Sequence, residues 1–471
     1  MIDEQDRGTG YDADESTPGA PDPERWAIIG GGLLGMTLAM RLAQRGQSVT
    51  IIERSPQLGG LASAWRIGDI TWDRHYHVTL LSDEFTRSIL VELGLDDDMQ
   101  WVTTKTGFFT DGTLHSMSNA FEFLRFKPLG LSDKARLAAT ILYVSRIKDW
   151  KPLEEIPVAD WLHKLSGKKT FEKIWLPLLR AKLGDSYTKT SAAFIWATIQ
   201  RMYAARRTGL KQELFGYLPG GYNRLLEAFR IRLENAGVKL FMGMDVAAVV
   251  PEASGEVRVE LIGGTRIRFD RVVLTVPSTV AARLCPGLSQ HEQSQLERAD
   301  YQGIICASIL LEKPLSTFYI TNITESWVPF TAVIEMSSLV DRQQFGGKAL
   351  VYLPKYVASD DPAFDIPDHE WGERAMETLA GMYPDFDPSD VLAFRISRER
   401  YVYALPSLGY SDRVPKIRTT LPGVFTVNSS QIVNGTLNVN ETVKLAEDAL
   451  PILLDPEVVE VSRGYRPVVT P

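Results

Sequence analysis

Cysteine is nearly missing from this chain of 471 residues: only Cys285 and Cys306 occur. They form no CxxC or CxxxxC pair, which argues against a metal site or a redox disulfide and predicts two reduced thiols in a cytosolic compartment. Long apolar runs are lacking too. Stretches such as residues 137–144 fall far short of the roughly 18 residues that span a bilayer, so no transmembrane helix is expected. The N-terminus is acidic and proline-rich instead of basic and then apolar, which speaks against an export signal. Charge imbalance is also scarce in the body of the chain. Residues 1–24 hold eight acids and one base, so all but −1 of the net charge of −8 belongs to them. With little hydrophobicity and several Gly and Pro, that tail is expected to be disordered. A nearly neutral body gives no reason to expect a nucleic-acid partner. What remains, 44% hydrophobic and 23% charged residues, is the composition of a globular protein long enough for two or three domains.

What is present is concentrated in residues 27–53, AIIGGGLLGMTLAMRLAQRGQSVTIIE. A short apolar run enters glycines at Gly30, Gly32 and Gly35, and Leu34, Leu38 and Leu42 then recur at helical spacing until Gly46. A second apolar run ends in Glu53, 18 residues past Gly35. Strand, tight turn, helix and strand in this order make a dinucleotide-binding βαβ unit. Gly30 permits the turn, Gly32 lets the backbone approach a pyrophosphate, and Gly35 lets helix and strand pack closely. The pyrophosphate is expected on the helix start at Leu33 and Leu34, where free N–H groups and the dipole attract negative charge. Glu53 would accept hydrogen bonds from the adenosine ribose and disfavours a 2′-phosphate there. Both FAD and NAD satisfy this much.

Six residues past the acid stand Gly59 and Gly60, which let a second loop close on the cofactor. Here the chain resembles the FAD-dependent flavin amine oxidase superfamily, which includes protoporphyrinogen oxidases, phytoene desaturase-like enzymes and, more distantly, UDP-galactopyranose mutases. The resemblance implies FAD, with cofactor contacts along Arg54, Gly59, Gly60, Leu61 and Ala62. Leu61 stands where those families carry Arg or Lys, which implies that flavin contacts rest on backbone amides. The next segment, DITWDRHYHVTLL from Asp69, resembles the family's Asp-x-Gly-x-His stretch, with Arg74 in place of the glycine. Arg74, His75 and His77 are thereby expected near the flavin. Alternation in a strand would put His75 and His77 on one face, as hydrogen-bonded structural residues or facing the substrate.

Residues 119–207 are patterned as helices of a lid, with Ser132 and Pro157 as openings and Phe171, Trp175, Leu178 and Leu179 as an apolar stripe. Arg125, Lys127, Lys134, Arg136, Arg146 and Lys148 flank its first apolar helix and form either a solvated face or a contact with an anionic membrane. A Gly220-Gly221 loop and helix follow, then strands over 238–241 and 245–250 returning to the first domain, a hairpin around Gly263-Gly264, and a return strand over 269–277. The resemblance assigns adenine binding to the backbone of Val246 and places Val276 beside the cofactor. Residues 290–415 alternate strand-like runs with a helix near 370–382. They end in Tyr401 and Tyr403, expected on one side of an extended run and, by resemblance, near the flavin or substrate. The closing element over 421–450 resembles the loop and helix that wrap the FAD ribityl chain, with contacts from Asn428, Gly435, Thr436 and Leu437. Asn428 is expected to accept a ribityl hydroxyl. This element tips the cofactor to FAD.

The expected fold is therefore α/β: a discontinuous Rossmann-like FAD-binding domain (25–118, 215–289, 416–455), a helical lid (119–214) and an α+β substrate domain (290–415), between tails 1–24 and 456–471. No second GxGxxG unit and no cysteine pair relays electrons, so the chemistry expected is hydride transfer from a C–H bond of an apolar small molecule to flavin N5, followed by reoxidation. His75, His77 and Tyr403 are candidates for the accompanying proton transfer. Arg74, Arg180, Lys182 and Tyr401 are candidates for the substrate. The alternatives are a redox-neutral sugar mutase, with Arg180, Lys182, Arg206 and Arg207 clamping a nucleotide diphosphate, and a non-catalytic flavoprotein. The protein is expected in the cytoplasm or on the surface of a membrane.

Overall fold

Three distant stretches meet in one five-stranded parallel sheet, ordered Lys239–Met242, Ser48–Glu53, Arg25–Ile29, Arg271–Leu274, Val424–Thr426. The computed structural model describes residues 23–204, 214–433 and 437–455. The acidic tail and residues 456–471 therefore lie outside the described residues, save for Pro23 and Glu24. Strand Arg25–Ile29 is apolar and buried from Trp26 onward because it is central and covered on both faces, as parallel strands are. One face packs on helices Leu33–Ala43, Gly221–Asn235 and Val439–Leu453 through Trp26, Ile28, Leu38, Phe229 and Leu450. The other packs on a small antiparallel sheet of Val246–Pro251, Val257–Leu261 and Arg266–Phe269. Residues 245–250, expected as a strand returning to the first domain, lie in this antiparallel layer, where Val246 pairs with Leu261.

The substrate side is a seven-stranded sheet ordered Val391–Ala404, Tyr301–Leu311, Ala349–Ala358, Ala332–Glu335, Ile320–Ile323, Thr106–Thr110, Thr113–Ser116. Its last two strands correct the sequence-based division: residues 106–116 leave the first domain because Thr106–Thr110 pairs in parallel with Ile320–Ile323. Tyr301–Leu311 is fully buried, and its alternation splits the two faces. Ile305, Ala307 and Ile309 pack on helix Asp368–Met382. Ile304, Cys306 and Leu310 pack on Ile67, Ile70 and Trp72 of the segment after the double glycine. Cys285 and Cys306 are buried in separate apolar clusters.

The helical insertion comprises Ala120–Arg125, Leu131–Val144, Val158–Ser166, a helix through Lys168–Thr170 and Leu176–Leu183 joined by a π-turn at Phe171–Trp175, and Ala192–Ala204. Ser132 lies inside its helix, not at the cap: the start is Gly130, whose N–H donates to Asp133. Phe171, Trp175 and Leu179 are buried within the insertion.

Candidate active site

The βαβ turn has the geometry of an anion cradle. Gly30 has φ +114°, and a Cβ there would stand 2.6 Å from Thr275 Oγ1, whose hydroxyl lies 3.0 Å from Ile29 O and 3.2 Å from Gly30 O. A Cβ on Gly35 would run into the Gly30 carbonyl. Around Gly32 the opposite holds, for a Cβ would meet nothing within 4 Å. Gly32 is also the N-cap of helix Leu33–Ala43, with no side chain capping it and no acid in the first turn. Open space before an uncapped helix start suits a pyrophosphate held by the N–H groups of Leu33, Leu34 and Gly35.

Glu53 sits at the tip of its strand and is locked to the same turn. Gly31 N donates to Oε2 at 2.6 Å and Ser55 N to Oε1 at 2.8 Å, leaving lone pairs for sugar hydroxyls. Gly59 N donates to Gly31 O at 2.8 Å, and a Cβ on Gly60 would come within 3.2 Å of Gly32 Cα. The two glycine loops thus stack, with Leu61 half-buried, Ala62 buried and Arg54 exposed. Met244 N donates to Glu53 O at 2.9 Å, carrying the chain on to buried Val246. Val276 Cγ1 would be 3.6 Å from a Cβ on Gly30.

The C-terminal loop closes this region. Asn428 is 1% exposed; Ser278 Oγ, Ser430 N and Ser430 Oγ all donate to its Oδ1. Its Nδ2 has no partner among the described residues. The expectation that Asn428 accepts from a ribityl hydroxyl is thereby corrected: its oxygen is taken, and what it offers is a donor. An orphaned buried donor costs about 1–3 kcal/mol, which an oxygen-rich ligand would relieve. Together with the open cradle at Gly32, it shows that the residues fit FAD. Gly435 and Thr436 lie outside the described residues, while Leu437 is half-buried against the lid. Thr275 and Ser278 were missed by sequence reading, although two hydroxyls directly after an apolar strand are a visible signal.

The histidine segment departs from expectation. The strand ends at Asp73, so His75 and His77 lie in a loop and share no strand face. His75 is buried; its Nδ1 is 3.1 Å from Leu61 O and its Nε2 3.0 Å from Ser397 Oγ. A carbonyl only accepts, so Nδ1 carries the proton and the serine hydroxyl donates to Nε2. Burial, with Arg74 adjacent, pushes the imidazole down to about 3. A neutral ring with both nitrogens engaged is not a proton carrier; it fastens the double-glycine loop to the substrate sheet. Tyr403 is likewise committed, its hydroxyl donating to Lys182 O at 3.0 Å. Of the three proton-transfer candidates, only His77 keeps a ring nitrogen without a hydrogen bond among the described residues, with Nδ1 3.6 Å from Asp73 Oδ2 and its ring against Tyr222.

Arg74 spans the same joint. Its Nη2 is 2.8 Å from Glu399 and 3.3 Å from Gly60 O, so the double-glycine loop does have a cation beside it despite Leu61. Tyr401 packs edge-on against Tyr301. The expected clamp of Arg180 and Lys182 is not assembled. Two residues apart on one helix, they face different ways: Arg180 is exposed with its guanidinium over Tyr187, whereas Lys182 turns inward over Tyr356. Arg206 and Arg207 lie outside the described residues.

A glycine cradle, a ribose acid on the next strand and a closing loop from a third stretch define a flavin-dependent oxidoreductase. The chain belongs to the flavin containing amine oxidoreductases, whose family model matches residues 35–438, and its cofactor is FAD. A zeta-carotene desaturase from Synechocystis sp. is 25% identical over 292 residues, 56% of this chain and 58% of that protein. Other curated relatives are matched over as little as 9% of their length. Among solved structures, a candidate protoporphyrinogen oxidase from Exiguobacterium sp. 255-15 superposes with a TM-score of 0.71 at 17% identity, over 93% of this chain and 98% of that one. Reduced UDP-galactopyranose mutase gives a TM-score of 0.70 at 14% identity over the same shares. At such identities these two likenesses are of fold.

Proposed function

We propose that this protein is a dehydrogenase, desaturase or oxidase that removes a hydride from a C–H bond of an apolar substrate, leaving a C=C or C=N bond. Bound FAD supplies the two-electron acceptor. The observation that carries the reading is the apolar cluster joining the lid to the substrate sheet: Phe171, Trp175, Phe194 and Ile195 pack in one body with Tyr403 and Leu405, flanked by Tyr356 and Leu437. Such a cluster keeps water from the junction of lid and substrate sheet, and the likeness to a carotenoid desaturase supports an apolar substrate. In this reading His75 and Arg74 join the double-glycine loop to the substrate sheet, and His77, whose Nδ1 has no hydrogen-bond partner among the described residues, takes the accompanying proton. Anaerobic addition of a polyene, with or without an acid head group, or of a porphyrinogen is expected to bleach the visible flavin band. Turnover confined to a UDP-sugar after prior reduction would overturn the reading.

The lid also supports a membrane face. Phe121, Leu124, Leu131, Leu142 and Tyr143 are all exposed, between 40% and 75%. Around them Arg125, Lys127, Arg136, Arg146 and Lys148 are exposed as well, Arg125 stacking on Phe121 at 3.9 Å. Lys134, counted with this group from sequence, is instead buried and donates to Leu124 O. Apolar tips ringed by cations match an anionic bilayer surface. The protein is expected to sediment with phosphatidylglycerol vesicles at low salt and to be released at high salt, and Phe121→Ser with Leu124→Ser should leave it in the supernatant. Wild-type protein that stays in the supernatant at low salt removes this contact. Among the described residues no helix is long and apolar enough to cross a membrane.

A further inference from the structure

The polar end of the substrate face holds a buried amide without a hydrogen-bond partner and a lysine with no carboxylate beside it among the described residues. Lys182, half-buried near the end of helix Leu176–Leu183, has its ammonium 3.7 Å from the centre of the Tyr356 ring and 5.9 Å from that of Tyr403. Both rings are pinned, Tyr403 by its bond to Lys182 O and Tyr356 by a 2.9 Å hydroxyl contact with Tyr76. No carboxylate among the described residues pairs with Lys182, and Glu399, on the same sheet face, is taken up by Arg74. Gln302 lies directly across from Tyr403 in the register, and Ile304, two residues on, lies across from Tyr356. Cross-strand partners share a face, so Gln302 points with these tyrosines. Its side chain is 1% exposed, and neither Nε2 nor Oε1 has a partner among the described residues. Nothing in the sequence sets this glutamine apart from the apolar run it heads.

We propose that Lys182 and Gln302 form an anion-binding end of the substrate site, so that the substrate is an apolar molecule ending in a carboxylate. The inference rests on the oxidoreductase reading in treating this sheet face as the substrate's. An amine would meet a cation already seated on the aromatic ring where it would otherwise stack, and like charges repel. A pure hydrocarbon would leave the ammonium and a buried amide unanswered. A carboxylate accepts from both in charge-assisted bonds, while the apolar cluster takes the chain.

The test is equilibrium binding to the FAD-loaded protein of oleate, oleyl alcohol and oleylamine, three probes that share a chain and differ at the head. Oleate is expected to bind about 10-fold or more tighter than the alcohol, with the amine weakest. Lys182→Met, which keeps the apolar stem, should erase that preference and leave alcohol binding unchanged, whereas Lys182→Arg should retain it to within about 3-fold. Alcohol or amine binding as tight as oleate, a preference that survives Lys182→Met, or no binding of any probe overturns the proposal. Flavin bleaching is read separately. If polyene and porphyrinogen donors fail to bleach while oleate selectivity follows Lys182, the hydride-transfer reading falls and the anion site stands.

Discussion

Gly35→Val is expected to give a folded but colourless protein. Glycine at this position is a packing requirement, because any Cβ would be driven into the Gly30 carbonyl, which belongs to the turn and not to a flexible side chain. Helix Leu33–Ala43 would have to withdraw from strand Arg25–Ile29, taking the N–H groups of Leu33 and Leu34 away from the space at Gly32. FAD affinity should fall at least about 100-fold, since the helix-start contacts with the pyrophosphate go together. Flavin absorbance per protein after gel filtration, followed by titration with FAD, measures it. Gly372→Ala is the control: it lies inside helix Asp368–Met382, and its Cβ would make ordinary contact with Phe394 at 3.5 Å. That variant should stay yellow, with a gain of about 0.5–1 kcal/mol in stability. Full flavin content in Gly35→Val would refute this account of the cradle.

The second large effect concerns acid. His75 folds as a neutral ring held down to about 3, whereas an unfolded imidazole titrates near 6.5. A depressed histidine binds its proton more readily when unfolded. Its stabilising contribution is therefore complete above about pH 6.5 and is lost by about 1.4 kcal/mol per pH unit on the way down to about 3. Between pH 6.5 and 5 the loss is about 2 kcal/mol, a large share of a typical domain's 5–15 kcal/mol. His75→Leu should weaken the fold at pH 7 by about 1–3 kcal/mol, because Leu61 O and Ser397 Oγ lose their partner, yet flatten the acid dependence. Urea unfolding of both proteins at pH 7 and pH 5 separates the two outcomes. Parallel losses on acidification would mean that the ring is not what titrates.

The cofactor half of the molecule could be read from the chain because its requirements are local. Gly30, Gly32, Gly35 and Glu53 are fixed by one turn and the strand beside it, and the turn dictates both residue type and spacing. The substrate half is set by pairing at long range. Nothing near residue 106 announces that it will run parallel to Ile320–Ile323, and a one-strand shift of that kind moves a domain boundary. The histidines mislead for a related reason: alternation was legible in DITWDRHYHVTLL, but the ladder stops at Asp73, and His75 takes its partners from Leu61 and Ser397, 14 and 322 residues away. Lys182 and Arg180 show the limit of composition. Both are basic and both lie on the lid, yet the helix turns one inward and the other to solvent.

The order of strands in the parallel sheet has a consequence for how the protein is made. Its central strand, Arg25–Ile29, is complete early in synthesis, but Arg271–Leu274 beside it and Val424–Thr426 beyond are translated some 245 and 400 residues later. Until then the nascent chain carries an unpaired strand flank, the kind of edge that invites association between chains. Contacts of such sequence separation also form slowly. The sheet that carries the cofactor cradle is thus completed only once residue 426 has been made, so this half of the molecule assembles late.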